Sequence, residues 1–290
     1  MIRKYSILFS NWKSKKGRCP LLLRGARQVG KTWLVRDFAK SADFDEFVEI
    51  NLEAQPELHA LFKKYFGNPS ELLAHLRLML AKKIIPGRTL LFIDEIQECS
   101  EALLSLRYFK ELMPELHVVA AGSLLEFALK TVSFPVGRIE FLHIFPLSFA
   151  EFLDNSSDRQ LAGAISARSV DAEAQALDET IHEKLLDLLS RYMALGGMPA
   201  VLNCYFSTQD IEECQNIQQT LVANYRADFN KYASQAALEH IKRVFDSVPR
   251  LLGEKFKYSK VSDEAKAREL SAALLLLEDA GVVSRCIHSD

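Results

Sequence analysis

The sequence Gly-Ala-Arg-Gln-Val-Gly-Lys-Thr at residues 25–32 determines most of what can be predicted for this chain. It fits the phosphate-binding pattern Gly-x-x-x-x-Gly-Lys-[Ser/Thr] at every fixed position. The apolar run Leu21–Leu23 before it predicts a buried strand, and residues 32–40 after it have the apolar periodicity of a helix. A strand, a glycine loop and a helix in this order form the context in which the motif binds phosphate. We call residues 25–32 the phosphate loop.

Several residue types in the phosphate loop have a use in holding a polyphosphate. The start of the helix leaves backbone N–H groups without intrahelical partners, and the helix dipole adds partial positive charge there. Gly30 lets the backbone pass close to phosphate, Lys31 adds a mobile positive charge, and the Thr32 hydroxyl can ligate Mg²⁺. We therefore predict a nucleotide site formed by Gly25, Ala26, Arg27, Gln28, Val29, Gly30, Lys31 and Thr32.

An acidic pair, Asp94 and Glu95, follows the apolar run Thr89–Ile93. That run predicts a strand buried on both faces. Asp94 at its carboxyl end can supply the second protein ligand of the Mg²⁺ that Thr32 also binds. Glu95 can orient and deprotonate water beside the terminal phosphate. A phosphate loop followed by this pair favours hydrolysis over phosphoryl transfer to a small molecule.

Ser123 and Arg138 are weaker candidates for the same chemistry. Ser123 follows the apolar run His117–Ala121 and could touch the γ-phosphate or the attacking water, or could cap a helix over residues 124–130. Arg138 begins the apolar run that follows a Pro-Val-Gly turn. It is either an exposed strand residue or an arginine finger offered to the nucleotide of a neighbouring subunit.

Composition places the chain among ordinary globular proteins. Its 290 residues are 49% hydrophobic and 26% charged, with a net charge of −2, so global charge gives no case for nucleic acid. No apolar stretch is long enough to cross a bilayer, and five scattered cysteines predict reduced thiols in the cytoplasm. Met1–Arg18 carries six Lys and Arg residues and no acidic residue. This basic segment is either a solvated face or a patch that steers nucleotide or nucleic acid to the protein.

Apolar runs and helical periodicities alternate through the first half of the chain, which predicts a parallel α/β sheet of about five strands. The expected strands are Leu21–Leu23, Phe47–Leu52, Thr89–Ile93, His117–Ala121 and Arg138–Ile144. We predict an ATPase core at residues 1–153 and an all-α lid at 154–234. Residues 235–290 predict either a helical cap or a small winged-helix-like module, whose strand starting at Val282 we expect to be incomplete.

Four of these segments resemble the AAA+ branch of P-loop ATPases: residues 25–32, 90–97, 120–125 and 136–152. They are similar to a prokaryotic family of predicted ATPases with a C-terminal domain of unknown function, as are Gly-Gly-Met-Pro at 196–199 and residues 225–232. The resemblance implies a RecA-like sheet, a helical lid, a winged helix and a further domain beyond residue 290. It carries over Lys31, Thr32, Asp94 and Glu95, with Ser123 as sensor and Arg138 as finger; Arg191 and Arg226 are candidate second sensors.

We therefore predict an ATPase that uses ATP and Mg²⁺, releases ADP and switches conformation on hydrolysis. ATP is favoured over GTP because the guanine motif Asn-Lys-x-Asp does not occur. One hypothesis is a homo-oligomer that remodels a protein or nucleic-acid partner. The alternative is a monomeric nucleotide-gated switch or scaffold with slow turnover, which contacts DNA or an effector through the basic segment Lys255–Arg268. DNA binding with a vestigial nucleotide site is a third hypothesis.

Overall fold

The computed structural model describes residues 1–122, 137–166, 178–229 and 235–286 of the chain. Contacts group the chain into two compact units. The first unit consists of Met1–Ser14, Gln28–Gly30 and Ile144–Val222, and the second of Lys15–Arg27, Lys31–His143 and Ala223–Asp290. The predicted boundaries at residues 153 and 234 were drawn from sequence pattern, and that three-part division stays a prediction.

A five-stranded parallel sheet lies in the second unit. Its strands are β1 (Leu21–Arg24), β2 (Glu46–Asn51), β3 (Thr89–Asp94), β4 (His117–Ala121) and β5 (Glu140–His143). Their spatial order is β2-β3-β4-β1-β5, and each pair of neighbouring strands is parallel. This confirms the predicted α/β class. The fifth strand is shorter than the predicted Arg138–Ile144, since it begins at Glu140 and ends at His143.

Strand β3 is buried along its whole length, as its uninterrupted apolar run predicts. It lies between β2 and β4, and β4 is also fully buried. A strand in the middle of a parallel sheet has no face in contact with water, so both faces are apolar. Because carboxyl ends of parallel strands meet at one edge, Asp94 at the end of β3 and Arg24 at the end of β1 share that edge.

Helices are interleaved with the strands of the second unit. In its described part these are α2 (Lys31–Ser41), α3 (His59–Tyr65), α4 (Pro69–Leu80) and α5 (Ser100–Leu112), with 3₁₀ turns at Pro56–Leu58 and Ile96–Glu98. Helix α4 begins as its sequence dictates, since the Asn68 side chain accepts a hydrogen bond from the Glu71 amide and Pro69 takes the first helical position. Strands and helices share one apolar core that includes Leu22, Ile50, Phe62, Leu72 and Phe109.

The first unit is helical in its described part. Its helices are α1 (Tyr5–Ser14), α6 (Phe149–Asp154), α7 (Gln160–Ser166), α8 (Glu179–Leu195), α9 (Pro199–Thr208) and α10 (Ile211–Phe229) as far as Val222. They enclose a core that includes Leu147, Phe152, Leu185, Val201 and Leu202. Within the described ranges, no helix combines the length and apolarity that crossing a bilayer requires.

Gly197 is fixed by close backbone packing in the first unit. The Leu147 amide donates to the Gly197 carbonyl oxygen at 2.7 Å. A Cβ atom at position 197 would lie 2.2 Å from the carbonyl oxygen of Leu147, which is far inside van der Waals contact. Glycine is therefore required at position 197 for this packing.

Arg3 is buried in the first unit and departs from both interpretations of the basic N-terminal segment. It is 5% exposed, and its Nε lies 3.0 Å from Oε1 of Glu151. The guanidinium also donates to the carbonyl oxygens of Val29 at 3.2 Å and Phe145 at 2.6 Å. A buried charge needs a partner and hydrogen bonds, and Arg3 has both. Arg3 therefore forms a structural ion pair with Glu151 and is not part of a solvated or ligand-steering surface.

The C-terminal part of the second unit contains α11 (Gln235–Ser247) and α12 (Ala267–Asp279) around a small core of their own. The strand predicted from Val282 is wrong for the described residues 282–286, which form no strand. The reason is the helix cap: the amides of Val282 and Val283 donate back to the Leu277 carbonyl at 2.9 and 3.3 Å. Amides used in this way cannot pair with another strand.

Candidate nucleotide site

The phosphate loop joins β1 to α2, as predicted. β1 ends at Arg24 and α2 begins at Lys31, so the glycine loop lies between the carboxyl end of a central strand and a helix N-terminus. The backbone has positive φ at Gly25 (142°), Gln28 (63°) and Gly30 (93°). Glycine adopts such values without a Cβ clash, which explains its presence at the two ends of the loop.

Lys31 is held inside the loop by the loop's own carbonyl groups. Its side chain is mostly buried, and Nζ donates to the carbonyl oxygens of Gly25 at 2.8 Å and Ala26 at 2.9 Å. Burial lowers the pKa of Lys31 to about 8, although the charges of Glu95 and Asp94 oppose the shift. The ammonium group is therefore still mostly protonated at neutral pH. It is a positive charge placed against the first residues of the loop.

Thr32 and Asp94 are brought together although 62 residues separate them in sequence. The Thr32 hydroxyl donates to Oδ2 of Asp94 at 2.7 Å, and Oδ1 of Asp94 accepts from the Glu95 amide at 3.1 Å. Burial raises the pKa of Asp94, and the hydrogen bond from Thr32 opposes that shift. A hydroxyl beside a carboxylate is the hard-oxygen donor pair that fits Mg²⁺.

The fit to Mg²⁺ depends on further oxygen ligands. Among the described residues, no group of three or more His, Cys, Asp and Glu side chains is arranged to hold a metal ion. Mg²⁺ retains several waters and binds through one or two protein ligands plus substrate phosphates. Thr32 and Asp94 match that mode, because they would supply two ligands and leave the remainder to phosphate and water.

Glu95 has a constrained backbone and a held side chain. It has left-handed backbone angles (φ 49°, ψ 45°), which are uncommon for a residue with a Cβ atom. Its Oε2 accepts a hydrogen bond from Nε2 of Gln97 at 2.6 Å. We did not predict a role for Gln97, although the Asp-Glu-Ile-Gln spacing on a 3₁₀ turn could have indicated it. The contact fixes the direction of the carboxylate that was predicted to act on water.

Arg27 of the phosphate loop contacts a part of the second unit that is distant in sequence. Its Nη1 lies 2.7 Å from Oδ1 of Asp228, and its carbonyl oxygen accepts from the Tyr225 hydroxyl at 2.7 Å. The family resemblance included residues 225–232 but implied no role for Tyr225 or Asp228. The second-sensor candidates have other partners: Arg226 pairs with Asp246, and Arg191 pairs with Asp187.

The remaining candidates differ in how far the structure describes them. Arg138 is half-exposed, precedes β5 and pairs through Nε with Oε1 of Glu111 at 3.0 Å. Glu111 also pairs with Arg107 at 3.1 Å. Ser123 lies outside the described residues, as does the helix predicted at 124–130.

A central β1, a phosphate loop, a helix and an acidic pair ending β3 are the features of a P-loop protein of the AAA+ class. Residues 18–153 match the family model described as AAA domain. Residues 186–290 match the model described as Domain of unknown function (DUF8612). Residues 18–153 are therefore similar to AAA domains, and a domain of unknown function follows them, as the resemblance implied. The AAA-domain match supports nucleotide binding and hydrolysis in general terms.

Two solved structures show a remote likeness. The chain is 12% identical to C. elegans PCH-2, over 68% of this chain and 58% of that one, with a TM-score of 0.36. It is 15% identical to the Aeropyrum pernix ORC1 protein, solved in complex with DNA, over 98% of this chain and 84% of that one, with a TM-score of 0.33. Both scores are too low to say anything about function. No curated protein sequence matches the chain.

Proposed function

We propose that this protein binds ATP and hydrolyses it with Mg²⁺, and that hydrolysis drives a conformational switch. The observation that carries the proposal is the contact between Thr32 and Asp94 at the edge of the sheet where the phosphate loop also begins. Glu95 lies beside that pair, since its amide donates to Oδ1 of Asp94 at 3.1 Å, and Lys31 directly precedes Thr32 in the chain. The groups proposed to bind phosphate, hold the metal ion and activate water are therefore neighbours.

Binding is assigned to the loop and its lysine. Backbone N–H groups of residues 25–32 would receive the α- and β-phosphates, and the Lys31 ammonium would turn from the Gly25 and Ala26 carbonyls to the β- and γ-phosphates. Thr32 and Asp94 would hold Mg²⁺. When bound, the metal ion neutralises charge on the phosphate oxygens.

Water activation is assigned to Glu95. Its carboxylate would accept a proton from the attacking water, while the hydrogen bond from Gln97 keeps the carboxylate in one orientation. Ser123 is proposed as a sensor of the γ-phosphate, and Arg138 as a finger for the nucleotide of a neighbouring subunit. The predicted lid at 154–234 would be the element that moves.

Replacing Lys31 by alanine tests nucleotide binding. We expect the affinity for Mg–ATP to fall about 10- to 100-fold, because charge-assisted hydrogen bonds to phosphate contribute about 1.5–3 kcal/mol. Calorimetric titration with ATP, ADP and GTP gives the affinities and the base preference. Lys82→Ala is the matched control, since Lys82 is an exposed lysine paired with Glu46. Equal ATP affinity in Lys31→Ala and wild type would overturn the proposal.

Replacing Arg138 by alanine separates the oligomeric hypothesis from the monomeric one. For a finger acting between subunits, the ATP turnover rate per chain rises with protein concentration, and Arg138→Ala lowers it about 10³-fold. Stability should hardly change, because an exposed ion pair contributes at most about 1 kcal/mol. Arg107→Ala is the control, because Arg107 shares the partner Glu111. Turnover independent of concentration and unaffected by Arg138→Ala supports the monomeric switch.

Contact with DNA through Lys255–Arg268 is the less favoured reading of the C-terminal region. Lys260 in this segment is paired with Glu254, which removes part of the positive charge that phosphate would meet. Arg243 beside it contacts Glu264 at 3.8 Å. The basic segment is therefore mixed in charge. A surface that binds a polyanion such as DNA is expected to be predominantly positive.

A further inference from the structure

In the described part of the domain of unknown function, Tyr225, Asp228 and Gly281 contact the phosphate loop. The hydroxyl of Tyr225 donates to the carbonyl oxygen of Arg27, and the carboxylate of Asp228 pairs with the Arg27 guanidinium, both at 2.7 Å. Gly281, at the turn after α12, approaches the Ala26 backbone. All of these residues belong to the second unit, and Tyr225, Asp228 and Gly281 lie within the 186–290 match.

The two contacts to Arg27 are well shielded from water. The Arg27 side chain is 25% exposed and that of Asp228 is 14% exposed, so their attraction is stronger than that of a surface pair. Burial raises the pKa of Tyr225 to about 12, with the Asp228 charge adding to the shift and Arg27 opposing it. The tyrosine hydroxyl therefore remains protonated and able to donate at physiological pH.

The Gly281 contact shows how closely the chain approaches the loop. Gly281 has a φ of +70°, and an added Cβ atom would lie 3.1 Å from the Ala26 nitrogen. A larger residue would need both an unfavourable backbone conformation and a shift of the loop. The turn after α12 is thus packed directly on the backbone of the loop's second residue.

Arg27 lies in the same loop as Lys31 and directly follows Ala26, whose carbonyl oxygen accepts from Nζ of Lys31 at 2.9 Å. Guanidinium groups bind phosphate through two parallel hydrogen bonds, in the geometry they use for carboxylates. Phosphate is therefore a ligand of the same kind as the Asp228 carboxylate for the Arg27 guanidinium.

We propose that Arg27, Asp228 and Tyr225 form a latch through which the domain of unknown function distinguishes ATP from ADP. Arg27 pairs with Asp228 when no γ-phosphate is bound and with the γ-phosphate when ATP is bound. Tyr225 keeps the Arg27 backbone in place, so the guanidinium exchanges partners without moving the loop. The inference rests on the proposed function, because it requires nucleotide in the phosphate loop.

Nucleotide selectivity tests the latch. We would titrate ADP and a non-hydrolysable ATP analogue, each with Mg²⁺, into wild type, Asp228→Asn and Arg27→Gln by calorimetry. Asp228→Asn should raise affinity for the analogue about tenfold, because its competitor has lost its charge. Arg27→Gln should lower that affinity about tenfold. The ADP affinity should stay within about twofold of wild type in Asp228→Asn.

Two further variants separate a latch from a structural contact. Asp228→Glu keeps the charge and should retain the wild-type ATP:ADP ratio. If Asp228→Asn fails to fold, the lower analogue affinity expected of Arg27→Gln carries the test. Asp246→Asn removes an exposed carboxylate that pairs with Arg226 on the neighbouring turn, and it should leave both affinities unchanged. Equal changes for ADP and analogue in Asp228→Asn, or a changed ratio in Asp228→Glu, would overturn the latch.

The outcomes also distinguish this inference from the proposed function. Wild type that binds neither nucleotide contradicts both. Wild type that binds both nucleotides, with an ATP:ADP ratio insensitive to Arg27→Gln and Asp228→Asn, contradicts the latch alone.

Discussion

Replacing Glu95 by glutamine should slow ATP turnover by about 10²- to 10⁴-fold while ATP binding survives. This is the range that a positioned general base contributes. A glutamine at this position keeps the shape of the side chain and can still bond to Gln97, but it cannot accept a proton from water. Binding is assigned to Lys31, Thr32 and Asp94. In the variant Lys31 keeps its bonds to the Gly25 and Ala26 carbonyls, and Thr32 keeps its bond to Asp94.

Single-turnover and steady-state phosphate release give the rate, and calorimetry gives the ATP affinity. Glu98→Gln is the matched control, because Glu98 is an exposed glutamate on the same 3₁₀ turn and should leave the rate unchanged. The assignment of the base fails if Glu95→Gln hydrolyses ATP at the wild-type rate. A loss of ATP binding in that variant would instead place Glu95 in the binding site.

Replacing Glu151 by glutamine should lower the free energy of unfolding by about 3–5 kcal/mol, since it leaves Arg3 as a buried charge without a counter-ion. Both side chains are almost fully buried. The Glu151 carboxylate acts as an acceptor in these hydrogen bonds. The donors are the Arg3 guanidinium, the Lys4 amide, and the amide and hydroxyl of Ser148. A glutamine amide group would turn its own N–H bonds toward some of these donors.

The same variant should lose part of the acid sensitivity of the wild type. Burial alone would raise the pKa of Glu151, but the amides of Ser148 and Lys4 and the charge of Arg3 outweigh it, so the pKa is lowered. The stabilisation from the carboxylate is complete above the ordinary glutamate pKa of about 4.3 and disappears as pH falls through the lower folded-state value. Below that range wild type and variant should converge.

Urea unfolding from pH 7 down to about pH 3 measures both effects. Asp187→Asn is the control in the same unit, because Asp187 pairs with Arg191 at the surface and its loss should cost at most about 0.5 kcal/mol. A Glu151→Gln variant as stable as wild type at neutral pH would show that the pair is dispensable.

Local sequence pattern predicted the features that depend on local physics. The phosphate loop, the buried run that became β3 and the Asp94–Glu95 pair at its end all follow from periodicity and from motif spacing. The turn after α12 depends on equally local geometry, since Gly281 has a positive φ and the amides of Val282 and Val283 donate to the Leu277 carbonyl. The placement of Asp94 beside Thr32 followed from the rule that carboxyl ends of parallel strands share an edge.

Contacts over long sequence separations could not be predicted in this way. Tyr225 and Arg27 are 198 positions apart, and Arg3 and Glu151 are 148 apart. No periodicity relates such residues, so Arg3 appeared to be one of several surface charges. The prediction of a strand from Val282 was wrong for a related reason. Val282 and Val283 have strand-forming side chains, but their amides donate to a carbonyl of the preceding helix.

The left-handed backbone at Glu95 has a consequence for how this position can vary. A residue with a Cβ atom in that conformation costs about 1–2 kcal/mol that glycine would not. Glycine or asparagine would therefore make the turn after β3 more stable, yet neither offers a carboxylate. The chain has a glutamate where the backbone favours other residues, which is the expected pattern if its carboxylate acts on water as proposed.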